Sequence, residues 1–303
     1  MSARCAFAAL LWFLAVAPAT ALDDKVPPVT LDAGHVVWRE LRYTAHKLGI
    51  SATIEVRLDE TQMDAKSTGE AGGKGTAPAA QPRREILLES TSHLPGRTFL
   101  AHENVDPVRA AVREIVDTET GAKNHRKTYI LRDRGFLLEL LEPVDGSETL
   151  LAPERWTRRT RSFTSYPKML PSDAVITGPA GLLYAASAAR LTSPGDSMMI
   201  YVLVQAQVER VVVEVEGFES AEIELQERSG DKLRGVHEQI QALRLVAHSQ
   251  PVEPSESSAF RLFGLEGDVE ILWDAARRLP VEISGHVKLL GRVQVRLASV
   301  TLR

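Results

Sequence analysis

Cysteine is almost missing. The one copy, Cys5, sits ahead of an apolar run at residues 6–16. A lipid-anchoring cysteine would follow such a run, so Cys5 is not read as an anchor. No other thiol exists, which excludes disulfides, thiolate metal sites and a cysteine nucleophile beyond that position. Small secreted domains often rely on disulfides because they bury too little surface. A chain of 303 residues that manages without them must hold a sizeable apolar core. An excess of one charge is lacking too. The 36 Lys and Arg against 40 Asp and Glu leave a net charge of −4, so no nucleic-acid partner is expected. After residue 21 no apolar run approaches the ~20 residues that a membrane-spanning helix needs.

Catalytic signatures are also wanting. There is no Gly-x-Ser-x-Gly elbow to present a nucleophilic serine. Gly72-Gly73-Lys74-Gly75-Thr76 looks like part of a phosphate loop. However, Thr68 stands where its first glycine belongs, and Gly75 where a magnesium-binding hydroxyl belongs. The eight histidines are scattered. His237-Glu238 would need a second histidine at Gln241, and His102-Glu103 would need one at Asp106. Glu214/Glu216 and Glu222/Glu224 fall on expected exposed strand faces, not in a cleft of the kind a glycosidase pair requires. No metal site and no cofactor are expected, and the chain is read as a non-enzyme. A hydrolase with a dispersed site is the least favoured reading.

What is present begins at the start of the chain. Arg4, the apolar run at 6–16 and the small residues Ala19-Thr20-Ala21 have the layout of a secretory signal peptide over residues 1–21. The remainder, 22–303, is read as one exported β-rich domain, not membrane-spanning after cleavage. Period-two alternation dominates it. Ala52, Ile54, Val56 and Leu58 alternate with Thr53, Glu55 and Arg57. Ile200 to Val208, Val211 to Val215, Val269 to Trp273 and Val293 to Leu297 repeat the pattern. Successive side chains of a strand point to opposite faces, so each segment reads as a strand with one buried side. Such alternation argues for antiparallel pairing, since parallel strands are covered on both faces. Turn residues such as Glu216-Gly217 and Ser229-Gly230-Asp231 separate the strands.

Residues 179–191 break the pattern. They are alanine-rich and apolar nearly all round, which predicts a buried helix. Thr177 is the expected N-cap, with Pro179 in the first turn. A weaker helix is expected near 153–161. Residues 64–81 carry Gly, Ala, Ser and Pro with no large apolar side chain and read as a flexible insertion; residues 251–258 read as a shorter loop. The basic run 155–161 holds four arginines around Trp156 and reads as a solvated face. The predicted fold is mainly β: a curved antiparallel sheet or open β-barrel wrapped around one short buried helix. Trp38, Leu183, Tyr184 and Trp273 are the candidates to line an apolar cavity in it.

The stretch 272–283 (LWDAARRLPVEI) followed by 291–297 (GRVQVRL) resembles the end of the bacterial domain-of-unknown-function family 3108. Residues 178–190, Pro194-Gly195-Asp196 before a long strand, and Leu41-Arg42-Tyr43 with Gly49-Ile50 are similar to further parts of that family. The 64–81 insertion and the middle of the chain depart from it. The resemblance implies a Gram-negative periplasmic protein. It also implies a fold like the outer-membrane lipoprotein carriers, whose curved sheet wraps an apolar cavity around a helix. The expected role is to hold a lipid, acyl chain or envelope polymer in the concave face. The alternative is an assembly partner of an envelope protein, paired through an exposed sheet edge.

Overall fold

The computed structural model describes residues 30–63, 83–253 and 257–303. The expected signal peptide and the 64–81 insertion lie outside the described residues. After a short 3-10 turn at Ala33–His35, the chain runs through β1 (Trp38–Lys47), β2 (Ile50–Met63), β3 (Arg83–Leu94), β4 (Arg97–Val105), β5 (Val112–Gly121), β6 (His125–Arg132), β7 (Gly135–Glu142) and β8 (Arg158–Ser165). Then come β9 (Ile176–Thr177), α1 (Pro179–Ala188), β10 (Ser197–Val204), β11 (Gln207–Ser229), β12 (Lys232–Pro251), β13 (Arg261–Leu262), β14 (Leu265–Asp274), β15 (Leu279–Val287) and β16 (Gly291–Leu302).

These sixteen strands form one sheet. From β1 to β8 each strand pairs antiparallel with the next in sequence. β1 also pairs with β16, and the sheet continues through β15, β14, β12, β11 and β10 to β9. The far end of β11 returns to pair in parallel with β16, at Gln226–Ser299, Glu227–Val300 and Arg228–Thr301. That contact closes β11, β12, β14, β15 and β16 into a ring. The mainly β, largely antiparallel fold expected from the alternation is therefore what the chain adopts, with α1 as its one α-helix among the described residues.

Several local expectations are corrected. Residues 198–208 are not one strand: Gln205 and Ala206 both take positive φ, 51° and 69°, and turn β10 back onto β11. Two successive left-handed residues are what a tight hairpin needs to match strand twist, and no glycine advertises it here. β10 also buries both faces, Tyr201 and Leu203 included, so it has no wet side. Glu216-Gly217 is not a turn but a register shift inside a continuous β11, the mark of a β-bulge. The expected helix at 153–161 is a 3-10 turn, Pro153–Arg155, leading into β8. Thr177 belongs to β9, and the N-cap of α1 is Gly178, whose side-chain-free position makes no cap bond of its own.

α1 packs against β3, β4, β10 and β13. Nine of its ten residues are buried, so it has no solvent stripe to pattern. A helix this short is marginal alone in water, and tertiary contacts fix its last turn. Trp38 Nε1 donates to Ser187 Oγ at 3.1 Å. Near its C-terminus, the Asp32 N–H donates to the Ala188 carbonyl at 3.0 Å, and Arg278 reaches the Ala189 carbonyl at 3.4 Å.

Candidate functional site

The N-terminus of α1 rests on a carboxylate from another part of the chain. Strand pairing sets Leu58, Leu88, Glu103, Ile115 and Tyr129 side by side across β2 to β6. All five are buried, and Glu103 is the only acid among them. Its Oε1 accepts from Ala180 N–H at 2.9 Å and its Oε2 from Gly181 N–H at 2.7 Å. The first N–H groups of a helix have no partner within it and carry its positive end, so a carboxylate there is stabilising. The approach is close enough to demand glycine. A Cβ at Gly178 would lie 2.3 Å from Glu103 Cδ, and one at Gly181 would lie 1.9 Å from Thr177 Oγ1. Burial pushes the Glu103 carboxyl up to about 7. Its two backbone bonds pull the other way, and the Asp117 charge adds a smaller upward push. Half-buried Asp117 is itself pushed up to about 6 by desolvation, against the pull of Lys127.

At the opposite end of α1 the fold opens. A cleft of about 760 Å³ lies between the residues before β1, the β4–β5 loop and the chain leaving the helix. Leu31, Pro107, Val108, Leu191 and Met198 make its walls apolar, and Asp32 and Arg190 stand among them. Tyr184 ties the helix to one wall by donating to the Pro107 carbonyl at 2.9 Å. Asp32 is held 3.4 Å from His35. Arg190 is exposed and has no ion-pair partner among the described residues. Ligand pockets are commonly of this size, mostly apolar with a few placed polar groups.

A second opening of about 890 Å³ lies where β11 and β12 meet the β14–β15 turn. It is larger but carries Glu227, Arg234, Glu238, Asp274 and Arg277. Arg277 bonds Asp274 at 2.7 Å and also pairs with Glu238. Five charged residues line this opening against two in the other, which leaves the smaller cleft as the better apolar receptor.

Of the residues singled out in the sequence, Trp38, Leu183, Tyr184 and Trp273 are all buried in one hydrophobic core. Trp38 and Leu183 meet through Ser187, whose hydroxyl also donates to the Leu183 carbonyl at 2.8 Å. Trp273 lies across from Leu243 on β12 and Pro280 on β15. None of the four lines either opening. Sequence reasoning missed Glu103 as the partner of α1. Its signal was an acid at an inward position of a strand whose neighbours Ala101 and Val105 are small or apolar. The wall residues of the cleft come from three distant segments and gave no local signal. Comparison with family models, curated proteins and solved structures finds no match to this chain.

Proposed function

We propose that the chain is an exported, non-enzymatic binding protein of the cell envelope that holds the apolar part of an anionic amphiphile in the cleft at the C-terminal end of α1. One observation carries the reading: a cleft of about 760 Å³ with apolar wall residues beside Arg190, which makes no ion pair among the described residues, the Asp32 of the same lining being paired with His35. Apolar surface would take an acyl chain, and Arg190 would meet a carboxylate or phosphate head by charge-assisted hydrogen bonds. The signal-peptide layout supports an envelope location, and kinship with family 3108 belongs to the same reading. The space around Trp38 and Tyr184 is filled by core side chains, which favours the end of the helix over its flank in this reading.

Native mass spectrometry of protein isolated from the periplasm, followed by titration with a fluorescent long-chain fatty acid, tests this. Saturable binding that weakens about tenfold in Arg190→Glu, worth about 1.4 kcal/mol, is expected. Arg234→Glu at the other opening should leave binding unchanged. A bare polypeptide mass with no saturable uptake overturns the reading.

A further inference from the structure

We infer that β8 is a docking edge for an extended, acidic segment of a partner polypeptide, which adds to the sheet as an antiparallel strand. β8 ends the strand order, with β7 on one side and no strand on the other among the described residues. All eight of its residues are exposed. Its pairing with β7 runs from Gly135–Ser165 to Glu142–Arg158 without a register shift, and residues 158–165 contain no proline. Proteins usually blunt such edges by shortness, bulges, proline or a covering element. This edge is long, regular and bare, and only its charges guard it.

The free backbone groups can be assigned. The Tyr166 N–H donates to the Arg134 carbonyl at 3.1 Å, which makes that pair a hydrogen-bonded one. Bonded and non-bonded pairs alternate along an antiparallel ladder. Thr164, Ser162, Thr160 and Arg158 therefore spend their N–H and C=O groups on β7. Arg159, Arg161, Phe163 and Ser165 aim theirs outward.

The side chains state what kind of strand fits. From Arg155 to Ser172 there is no acid, while Arg155, Arg158, Arg159, Arg161 and Lys168 are all cationic. One carboxylate, Glu139, serves two guanidiniums, Arg161 at 2.5 Å and Arg159 at 3.6 Å. Phe163 follows on the same face and is 57% exposed. A second copy of this edge, set antiparallel with its outward groups in full overlap, would put Arg161 opposite Phe163 and Arg159 opposite Ser165, so it offers these arginines no acid. The complementary occupant carries an apolar residue opposite Phe163 and acids opposite Arg161 and Arg159. Read in its own antiparallel direction, that is apolar-x-acid-x-acid. Main-chain bonds would supply affinity, and the alternate side chains would supply choice.

The probe is a fluorescein-labelled peptide, Thr-Thr-Val-Thr-Glu-Thr-Glu-Thr, whose first residue falls opposite Ser165, followed by anisotropy and by amide exchange of the full mature chain. Saturable binding is expected, weakened at least tenfold in Arg159→Glu/Arg161→Glu. Ser165→Pro, which removes an outward N–H and no charge, should weaken it comparably while a cooperative melt is retained. Without any substitution, the N–H groups of Arg159, Arg161, Phe163 and Ser165 should exchange fast in the free protein and slowly with peptide bound. Binding that leaves those four amides unprotected would mean charge attraction without strand addition, and overturns the inference. So does an inert peptide alongside tight binding of phosphatidylglycerol vesicles, which would make the arginines a membrane-facing patch.

Discussion

At the scale of single residues, Glu103 sets the chemistry of the interior. It is a lone carboxyl in an apolar row, balanced between burial, which favours its neutral form, and two helix N–H groups, which favour its charged form. Its folded pKa, about 7, stands above the ~4.3 of an unfolded glutamate. Between those values the folded state holds the proton and the unfolded state does not, so stability falls as pH rises through the window. The effect is on the order of 4 kcal/mol at most. Asp117 acts in the same direction up to about 6. His125, whose pKa burial lowers, acts oppositely and in the acid part of the window. Glu103→Gln separates these contributions. Its amide oxygen can accept from one N–H, but its NH₂ faces the other, which costs about 1–3 kcal/mol. Thermal melts should show the wild type well above the variant at pH 5.5, with the gap closing by pH 8. A gap that stays constant across that range would show that Glu103 does not titrate there.

At the scale of elements, the helix is held by hydrogen bonds at its ends because its apolar circumference cannot orient it. The Trp38–Ser187–Leu183 chain fixes its rotation. Ser187→Ala strands a buried indole N–H and should cost about 1–3 kcal/mol. Trp38→Phe removes that donor but also loses packing. The double variant should then be less destabilised than the sum of the two, by at least ~0.5 kcal/mol; strict additivity in urea unfolding would remove the bond from the account. This helix was legible in the sequence, since an alanine-rich stretch without β-branched residues stands out among alternating strands. Strands β2, β14 and β16 were legible because each carries a period-two stretch, at 52–58, 269–273 and 293–297. What misled was local chemistry overruled by tertiary structure. Glu216-Gly217 has turn residues, yet pairing with β12 before and after it keeps β11 continuous through a bulge. Thr177 has a cap's hydroxyl, yet the distant Glu103 takes the helix N–H groups. Arg155 to Arg161 was read as a solvated face; its four arginines are exposed, while Trp156 among them is buried. Its place at the sheet edge depends on topology that no local window contains.

At the scale of the whole molecule, one short segment holds two junctions. Up to Arg296, β16 pairs with β15 on one side. Beyond it, β11 takes over that side at Ser299, Val300 and Thr301. The same three residues pair with Arg42, Leu41 and Glu40 of β1 on the other side. Buried Val300 therefore touches the closing contact of the ring and the strand that joins the ring to the β1–β8 meander. Arg303 extends the tie, with its N–H on the Val37 carbonyl at 2.9 Å and its guanidinium paired with Glu60. Residues Leu41 and Gln226 are far apart in sequence, so their link is non-local and rests on these last residues. Removing residues 299–303 should loosen both junctions together: amides of Leu41 and Tyr43 and those of Gln226 to Arg228 should lose exchange protection in parallel, and the melt should lose cooperativity. Val300→Ala, a milder change, should cost about 2 kcal/mol. If the shortened chain loosens β1 while Gln226 to Arg228 stay protected, the ring closes without β16 and the meander hangs from it as a separate unit. Parallel loss would mean that the ring and the meander share one cooperative core, which also fixes the β4–β5 wall of the cleft relative to α1.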